Sequence, residues 1–164
     1  MRTISNEEFN KKYYLYKPTI YNIAYTYVHN VTDADEIVQD VFMRYLNSES
    51  KFQTLENEKY WIIRVTINTC KSFVTSSWKK KISLSNDIVD LYSENKKETN
   101  NKLLDIVSNL PPKYKEVIAL FYFEDYEIKD ISKILKISMS STKKRLERAR
   151  KIIKERNEQN GWFW

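Results

Sequence analysis

Phe9, Tyr13, Tyr16, Ile20, Ile23 and Tyr27 follow one another at steps of three and four. That period recurs along the chain and limits the folds open to it, because such steps build one apolar helical stripe that has to be buried. Ala34, Ile37, Val38, Val41, Phe42 and Tyr45 form a second, wider stripe, and Ile63, Ile67, Cys70 and Val74 a third. The β-branched residues of the third would also suit a strand. Helical spacing over a dozen residues, between helical neighbours, favours a helix. Pro18 lacks an amide hydrogen and crowds the preceding turn, so a kink or two helices meeting there is expected. Thr32, three residues before Asp35, predicts a variant of the reciprocal N-terminal cap. The polar segment 47–58 reads as a loop.

Residues 82–101, "ISLSNDIVDLYSENKKETNN", lose the period and read as a flexible linker. Beyond it, "NKLLDIVSNL" predicts a short helix ended by Pro111–Pro112. "KYKEVIALFYFED" predicts another, with Val117, Ile118 and Phe121 inward. Ile128, Ile131, Ile134 and Leu135 mark a third, and Leu146, Ala149, Ile152 and Ile153 a last one. The fold class expected is all-α, with two small helical domains joined by a flexible linker. The domains expected are 1–81 and 102–158 on either side of the linker 82–101, with an aromatic tail at 159–164. For Trp162, Phe163 and Trp164 in that tail, docking on the second domain's own surface is favoured over contact with a regulator.

Scarcities narrow the function. One cysteine, Cys70, leaves no internal disulfide and no multi-cysteine zinc cluster, and one histidine, His29, leaves few routes to a histidine-based catalytic or metal site. The only glycine is Gly161, so there is no glycine-rich phosphate loop. No enzyme, cofactor or metal is expected. Apolar runs are too short to span a bilayer, and "MRTISNEEFNKKYY" lacks the apolar middle of a secretory signal, so a cytoplasmic protein without membrane insertion is expected. The formal charge of +6 favours an acidic partner such as nucleic acid.

The positive charge is concentrated. Residues 137–156, "ISMSSTKKRLERARKIIKER", carry eight Lys or Arg against two Glu. Ser138 is placed to cap this last helix, and the short helix just before it suggests a helix-turn-helix whose second helix enters a major groove. Ser140, Lys143, Lys144, Glu147, Arg148 and Lys151 then share the outward face, opposite Thr142, Leu146, Ala149 and Ile153. A solvated basic helix is the plainer reading. Glu147 either accepts from a cytosine amino group or pairs with Lys143 or Lys151.

Two further surfaces stand out. Asp33, Glu36, Gln39 and Asp40 share the exposed side of the second helix, where negative charge would repel phosphate. Ordinary solvation and a basic protein partner are both open. Arg64, Asn68, Lys71 and Thr75 make a polar side of the third helix beside Trp61, followed by Trp78 and by Lys79, Lys80 and Lys81. Aromatics interleaved with cations suit single-stranded DNA, although core packing is favoured for either Trp alone.

In their order along the chain these pieces resemble the extracytoplasmic-function (ECF) sigma factors, two-domain initiation subunits of bacterial RNA polymerase in the sigma-70 family. "DADEIVQDVFMRYL" is similar to the family's polymerase-binding helix, and "WIIRVTINTCKSF" with "WKKK" to the helix that opens and reads the −10 element. "LPPKYKEVIALFYFEDYEIKDISKILKISMSSTKKRLERAR" is similar to the domain that docks on the −35 element. The first domain then corresponds to sigma region 2 and the second to region 4. The resemblance implies that Asp33, Glu36, Gln39 and Asp40 contact the β′ coiled coil of core polymerase, with the β flap as a second polymerase contact. Trp61, Arg64, Asn68, Lys71, Lys79, Lys80 and Lys81 would handle the melted −10 strand. Ser140, Lys143, Lys144, Glu147, Arg148 and Lys151 would approach the −35 duplex. It implies promoter DNA and an anti-sigma factor as partners, and no small-molecule substrate. Ile67 and Ser72 stand where members commonly carry arginine and aspartate, and Lys136 where glycine is frequent. A left-handed backbone would cost Lys136 about 1–2 kcal/mol, so a differently shaped turn is expected. A stand-alone helix-turn-helix regulator and a helical protein adaptor remain the alternatives.

Overall fold

The first helix, α1 (Asn6–Val28), starts where Ser5 accepts a hydrogen bond from the Glu8 amide and stops at His29, whose backbone is left-handed. In the computed structural model the backbone is described for residues 2–83 and 102–159, and the side chains for 2–77 and 105–159. Pro18 lies inside α1, which neither ends there nor divides. Pro18 and Tyr14, four residues earlier, are both exposed, so the carbonyl that loses its intrahelical partner can turn to water. Buried Tyr16, Ile20 and Ile23 hold the helix on both sides.

Helix α2 (Val31–Asn47) begins one residue before the expected cap. Asn30, not Thr32, closes the turn: its Oδ1 accepts from the Asp33 amide and its Nδ2 donates to the Asp33 carboxylate, both at 2.8 Å. All six residues of its expected stripe are buried. Helix α3 (Leu55–Ser83) takes in the end of the segment read as a loop, because the Thr54 hydroxyl accepts from the Asn57 amide and starts the helix early. It also runs two residues into the expected linker; residues 84–101 lie outside the described residues. Ile63, Ile67 and Cys70 are buried, while Val74 is exposed as the helix leaves the core.

Chain 102–159 supplies α4 (Lys102–Ser108), α5 (Pro112–Ile118), α6 (Ile128–Leu135) and α7 (Met139–Gln159). Between α5 and α6 the chain makes a π-helical turn, Ala119–Phe123, closed by the Glu124 amide on the Ala119 carbonyl at 3.1 Å. The extra residue in that turn lets Ala119 and Leu120 stay buried while Tyr122 and Phe123 face out. Helices α1 to α3 pack on one another, α7 packs on α4, α5 and α6, and apolar contacts join the two groups into one core. Among the described residues there is no strand, and no helix is long and apolar enough to cross a membrane. The tail residues Trp162, Phe163 and Trp164 lie outside the described residues.

Candidate nucleic-acid interface

The charged face of α7 depends on a three-residue turn. Lys136 ends α6 in the left-handed region (φ 55°, ψ 45°), the shape its side chain was expected to avoid. Its amide and that of Ile137 both donate to the Ser132 carbonyl, and Ser138 then caps α7 by accepting from the Ser141 amide at 3.0 Å. Two backbone bonds and a cap depend on that shape, which accounts for its persistence without glycine. The turn is what aims α7.

Ser140, Lys143, Lys144, Glu147, Arg148 and Lys151 are all exposed, and Thr142, Leu146, Ala149 and Ile153 are buried beneath them. Glu147 forms an ion pair with neither Lys143 nor Lys151 among the described residues. Not all the cations of this segment are alike. Arg150 lies 5.2 Å from the Phe121 ring centroid and 5.5 Å from that of Tyr122, and donates to the Tyr122 hydroxyl. Arg145 turns toward Glu116, 4.0 Å away. These two brace the second half, while the outward four stay open to solvent.

On α3, Trp61 is half-buried, packed edge-on against Tyr45 and tilted against Phe52, so its ring joins the core as its plainer reading held. Arg64 and Lys71 are half-exposed, and Asn68 is exposed one turn from each. The Lys79, Lys80 and Lys81 side chains lie outside the described residues, as does that of Trp78.

The start of α3 is fixed by a buried carboxylate. Glu58 accepts from Lys12 Nζ at 2.7 Å, Tyr16 at 2.6 Å and Tyr45 at 3.1 Å. Burial alone would raise its carboxyl, but the hydrogen bonds from Lys12 and Tyr16 and the Lys12 charge hold it below the usual carboxylate range. Burial, together with the Glu58 charge, pushes the Tyr45 phenol up to about 12. This network ties all three helices of the first half together. Sequence reasoning placed Glu58 in a loop and missed it; the one available signal was Thr54 three residues before Asn57, a helix start.

The acidic face of α2 is divided in the same way. Glu36, Gln39 and Asp40 are exposed, with Asp40 3.4 Å from Arg44 on the next turn. Asp33 is half-buried and serves the Asn30 cap. Met43, one turn beyond Gln39 and Asp40, is 53% exposed on this face. It too was missed, since a methionine beside an apolar stripe reads as core.

Polar contacts flank the apolar core where the two halves meet. Lys71 of α3 is paired with Glu116 of α5. Tyr60 of α3 donates to Asp130 of α6 at 3.0 Å, sharing its single proton with Glu56 at 2.9 Å. Lys115 Nζ lies 4.6 Å from the Tyr27 ring centroid, and His29 Nδ1 lies 3.5 Å from Asp105. Burial lowers the Lys115 ammonium, and pushes the Glu124 carboxyl, whose Oε1 is buried without a partner among the described residues, up to about 7. Neither Lys115 nor Glu116 was expected here, although Glu116 stands four residues before buried Leu120 on the inward side of its helix.

Residues 13–80 match the family model for sigma-70 region 2, and residues 100–153 that for sigma-70, region 4. RNA polymerase sigma factor SigV of Bacillus subtilis (strain 168) is 28% identical over 141 residues, covering 85% of this chain and 84% of that protein. ECF RNA polymerase sigma factor SigM of the same organism is 27% identical over 150 residues, covering 87% and 90%. Among solved structures, CnrH in complex with the cytosolic domain of CnrY is similar with a TM-score of 0.69 at 16% identity, over 94% of this chain and 90% of that one. The sigma factor RpoE of Bartonella quintana, in complex with the anti-sigma factor NepR, is similar with a TM-score of 0.67 at 18% identity, over 91% and 96%. Identities this low bear on the fold alone.

Proposed function

This chain is an RNA polymerase sigma factor of the sigma-70 family and of the ECF type, and from that premise we propose how its surfaces divide promoter recognition. It brings core polymerase to specific promoters and assists strand separation, acting as a binding subunit in the cytoplasm while the polymerase performs the chemistry. The observation that carries this reading is the order of its parts: a region 2 match followed by a region 4 match, with an open cationic face on the last helix of the second.

Glu36, Gln39 and Asp40 face the β′ coiled coil, with Met43 as an apolar anchor among them and Asp33 mainly holding the helix start. Arg64, Asn68 and Lys71, followed by Lys79, Lys80 and Lys81, take the melted −10 strand, and Trp61 shapes that surface from beneath. Lys143, Lys144, Arg148 and Lys151 neutralise phosphates along the −35 duplex, a contact that positions without reading sequence. Ser140 and Glu147, which has no ion pair among the described residues, reach the base edges, where a carboxylate suits a cytosine amino group. The β flap is the second polymerase contact, and an anti-sigma factor, such as NepR is to its sigma partner, is the regulator. Purified core polymerase with this chain should start transcripts at a defined site on genomic promoter fragments where core alone does not. No stimulation across a broad set of fragments would overturn the assignment.

A further inference from the structure

Among the described residues, three that are not glycine hold a left-handed backbone: His29, Asp125 and Lys136. Histidine and aspartate are among the types found more often in that region, aspartate because its short acceptor can bond nearby amides. Lysine has no such compensation, since its ammonium only donates and sits at the end of a long stem. The turn accounts for the shape at Lys136 but not for the residue. The amides of Lys136 and Ile137 that donate to the Ser132 carbonyl are backbone groups, and a glycine would supply the same bonds without the strain. The free chain gains nothing from this side chain, which leaves a partner as its use.

The Lys136 ammonium is available for one. Lys136 is exposed, and its side chain has no ion pair, hydrogen bond or ring contact among the described residues. It stands two residues before Ser138, the cap of α7, so its Cα lies within about 7–8 Å of the start of that helix. In a helix-turn-helix the second helix lies in the major groove and the first crosses the backbone, so the turn between them passes beside phosphate. We propose that Lys136 is a phosphate contact of the duplex that α7 enters, and that the strained turn is retained because it holds this cation beside the helix. The contact rests on the reading of α7 as the duplex-facing helix and adds to it a cation from outside α7. Two backbone bonds already fix the Cα, so binding has only the stem to order. Backbone strain held in place by surrounding bonds is characteristic of ligand clamps.

Stability and binding should move in opposite directions. Lys136→Gly and Lys136→Asn keep the left-handed shape and remove the cation, whereas Lys136→Arg keeps the cation. Each free variant is unfolded in urea, and holoenzyme carrying it is bound to a promoter fragment over a range of potassium chloride concentrations. Lys136→Gly should unfold at a higher urea midpoint than the parent. It should nevertheless bind the fragment about three- to tenfold more weakly near 0.1 M salt, with the slope of log affinity against log salt about 0.9 flatter. Lys136→Asn should lose binding to the same extent, and it carries the test if glycine loosens the turn. Lys136→Arg should bind as the parent does. A lysine that only filled the turn would leave affinity unchanged in all three.

Lys143→Ala in the same assay tells this contact apart from the reading beneath it. A flattened slope for Lys143→Ala, with parent affinity and slope for Lys136→Gly and Lys136→Asn, would overturn the contact and leave α7 on the duplex. Parent slopes for all of these variants would overturn the duplex reading together with the contact that rests on it. A loss in Lys136→Arg as large as that in Lys136→Gly would also overturn the contact, because charge at this point would not be what the duplex meets.

Discussion

Tyr16 of α1 and Glu58 of α3 are joined by a 2.6 Å hydrogen bond from phenol to carboxylate, and Lys12 completes a charge-assisted pair with the same carboxylate at 2.7 Å. One acidic side chain thereby anchors the helix proposed to carry the −10 surface. Replacing it with glutamine removes the charge and leaves Lys12 half-buried without its anion. Glu58→Gln should cost about 3 kcal/mol at neutral pH, measured by urea denaturation. The carboxyl is held below its usual value of 4.5, so the stability it contributes is complete above that value and disappears as pH falls through the lower folded-state value. The gap between parent and variant should therefore shrink in acid. A gap that stays constant from neutral pH to pH 3 would remove the ion pair from the account.

Lys136 provides a test with the opposite sign. Its φ of 55° places Cβ against the following carbonyl, a strain of about 1–2 kcal/mol in a residue other than glycine. Lys136→Gly relieves that strain and gives back part of it through the greater freedom of an unfolded glycine. The net expectation is stabilisation by about 0.5–1 kcal/mol, read from the thermal or urea midpoint, with Lys136→Asn in between. A destabilised glycine variant would mean that the lysine stem does more than occupy the turn.

The same turn shows where sequence reading stops. The stripes of α2 and α7 and the Ser138 cap were legible because each depends on residues three or four apart, a spacing set by the helix itself. What Lys136 would do was not, since its strain is outweighed by the bonds from two amides to Ser132. Pro18 was read as a kink or a meeting of two helices for a related reason: local geometry predicts the lost hydrogen bond but not that Tyr14 and Pro18 are both exposed. Glu58, Lys115 and Glu116 were illegible because their partners lie on other helices, and burial of charge is decided only when those helices meet. On the candidate surfaces, exposure of Asn68 and of the α7 cations followed the pattern and Trp61 packed into the core as favoured, whereas Asp33 was diverted to the cap.

The acidic face of α2 should respond unevenly to charge reversal. Glu36→Lys and Asp40→Lys alter exposed side chains and should weaken binding to core polymerase, measured by interferometry, without moving the melting temperature. Asp33→Lys also disrupts the cap formed with Asn30 and should lose about 1 kcal/mol of stability with a smaller effect on binding. Met43→Ala should slow no association but speed dissociation, as expected for an apolar anchor inside a charged rim. Equal binding losses for Asp33 and Asp40, at equal stability, would return Asp33 to the contact surface.

On α7 the proposed division is between phosphate and base. Lys143, Lys144 and Arg148 are exposed and without ion pairs among the described residues, so each is free to displace a counterion from duplex DNA. Alanine at any one of them should weaken binding of every sequence alike and flatten the plot of log affinity against log salt by about 0.9. Glu147→Ala should leave that slope unchanged or slightly steeper, because it removes a negative charge from the surface facing the duplex. Its loss should instead appear as relaxed preference at one base pair, worth about 1–3 kcal/mol of discrimination. Holoenzyme bound to a promoter library over a range of potassium chloride concentrations yields both quantities. If alanine at Lys143 changed the preferred base and alanine at Glu147 changed only the slope, the assignment of roles along this helix would have to be exchanged.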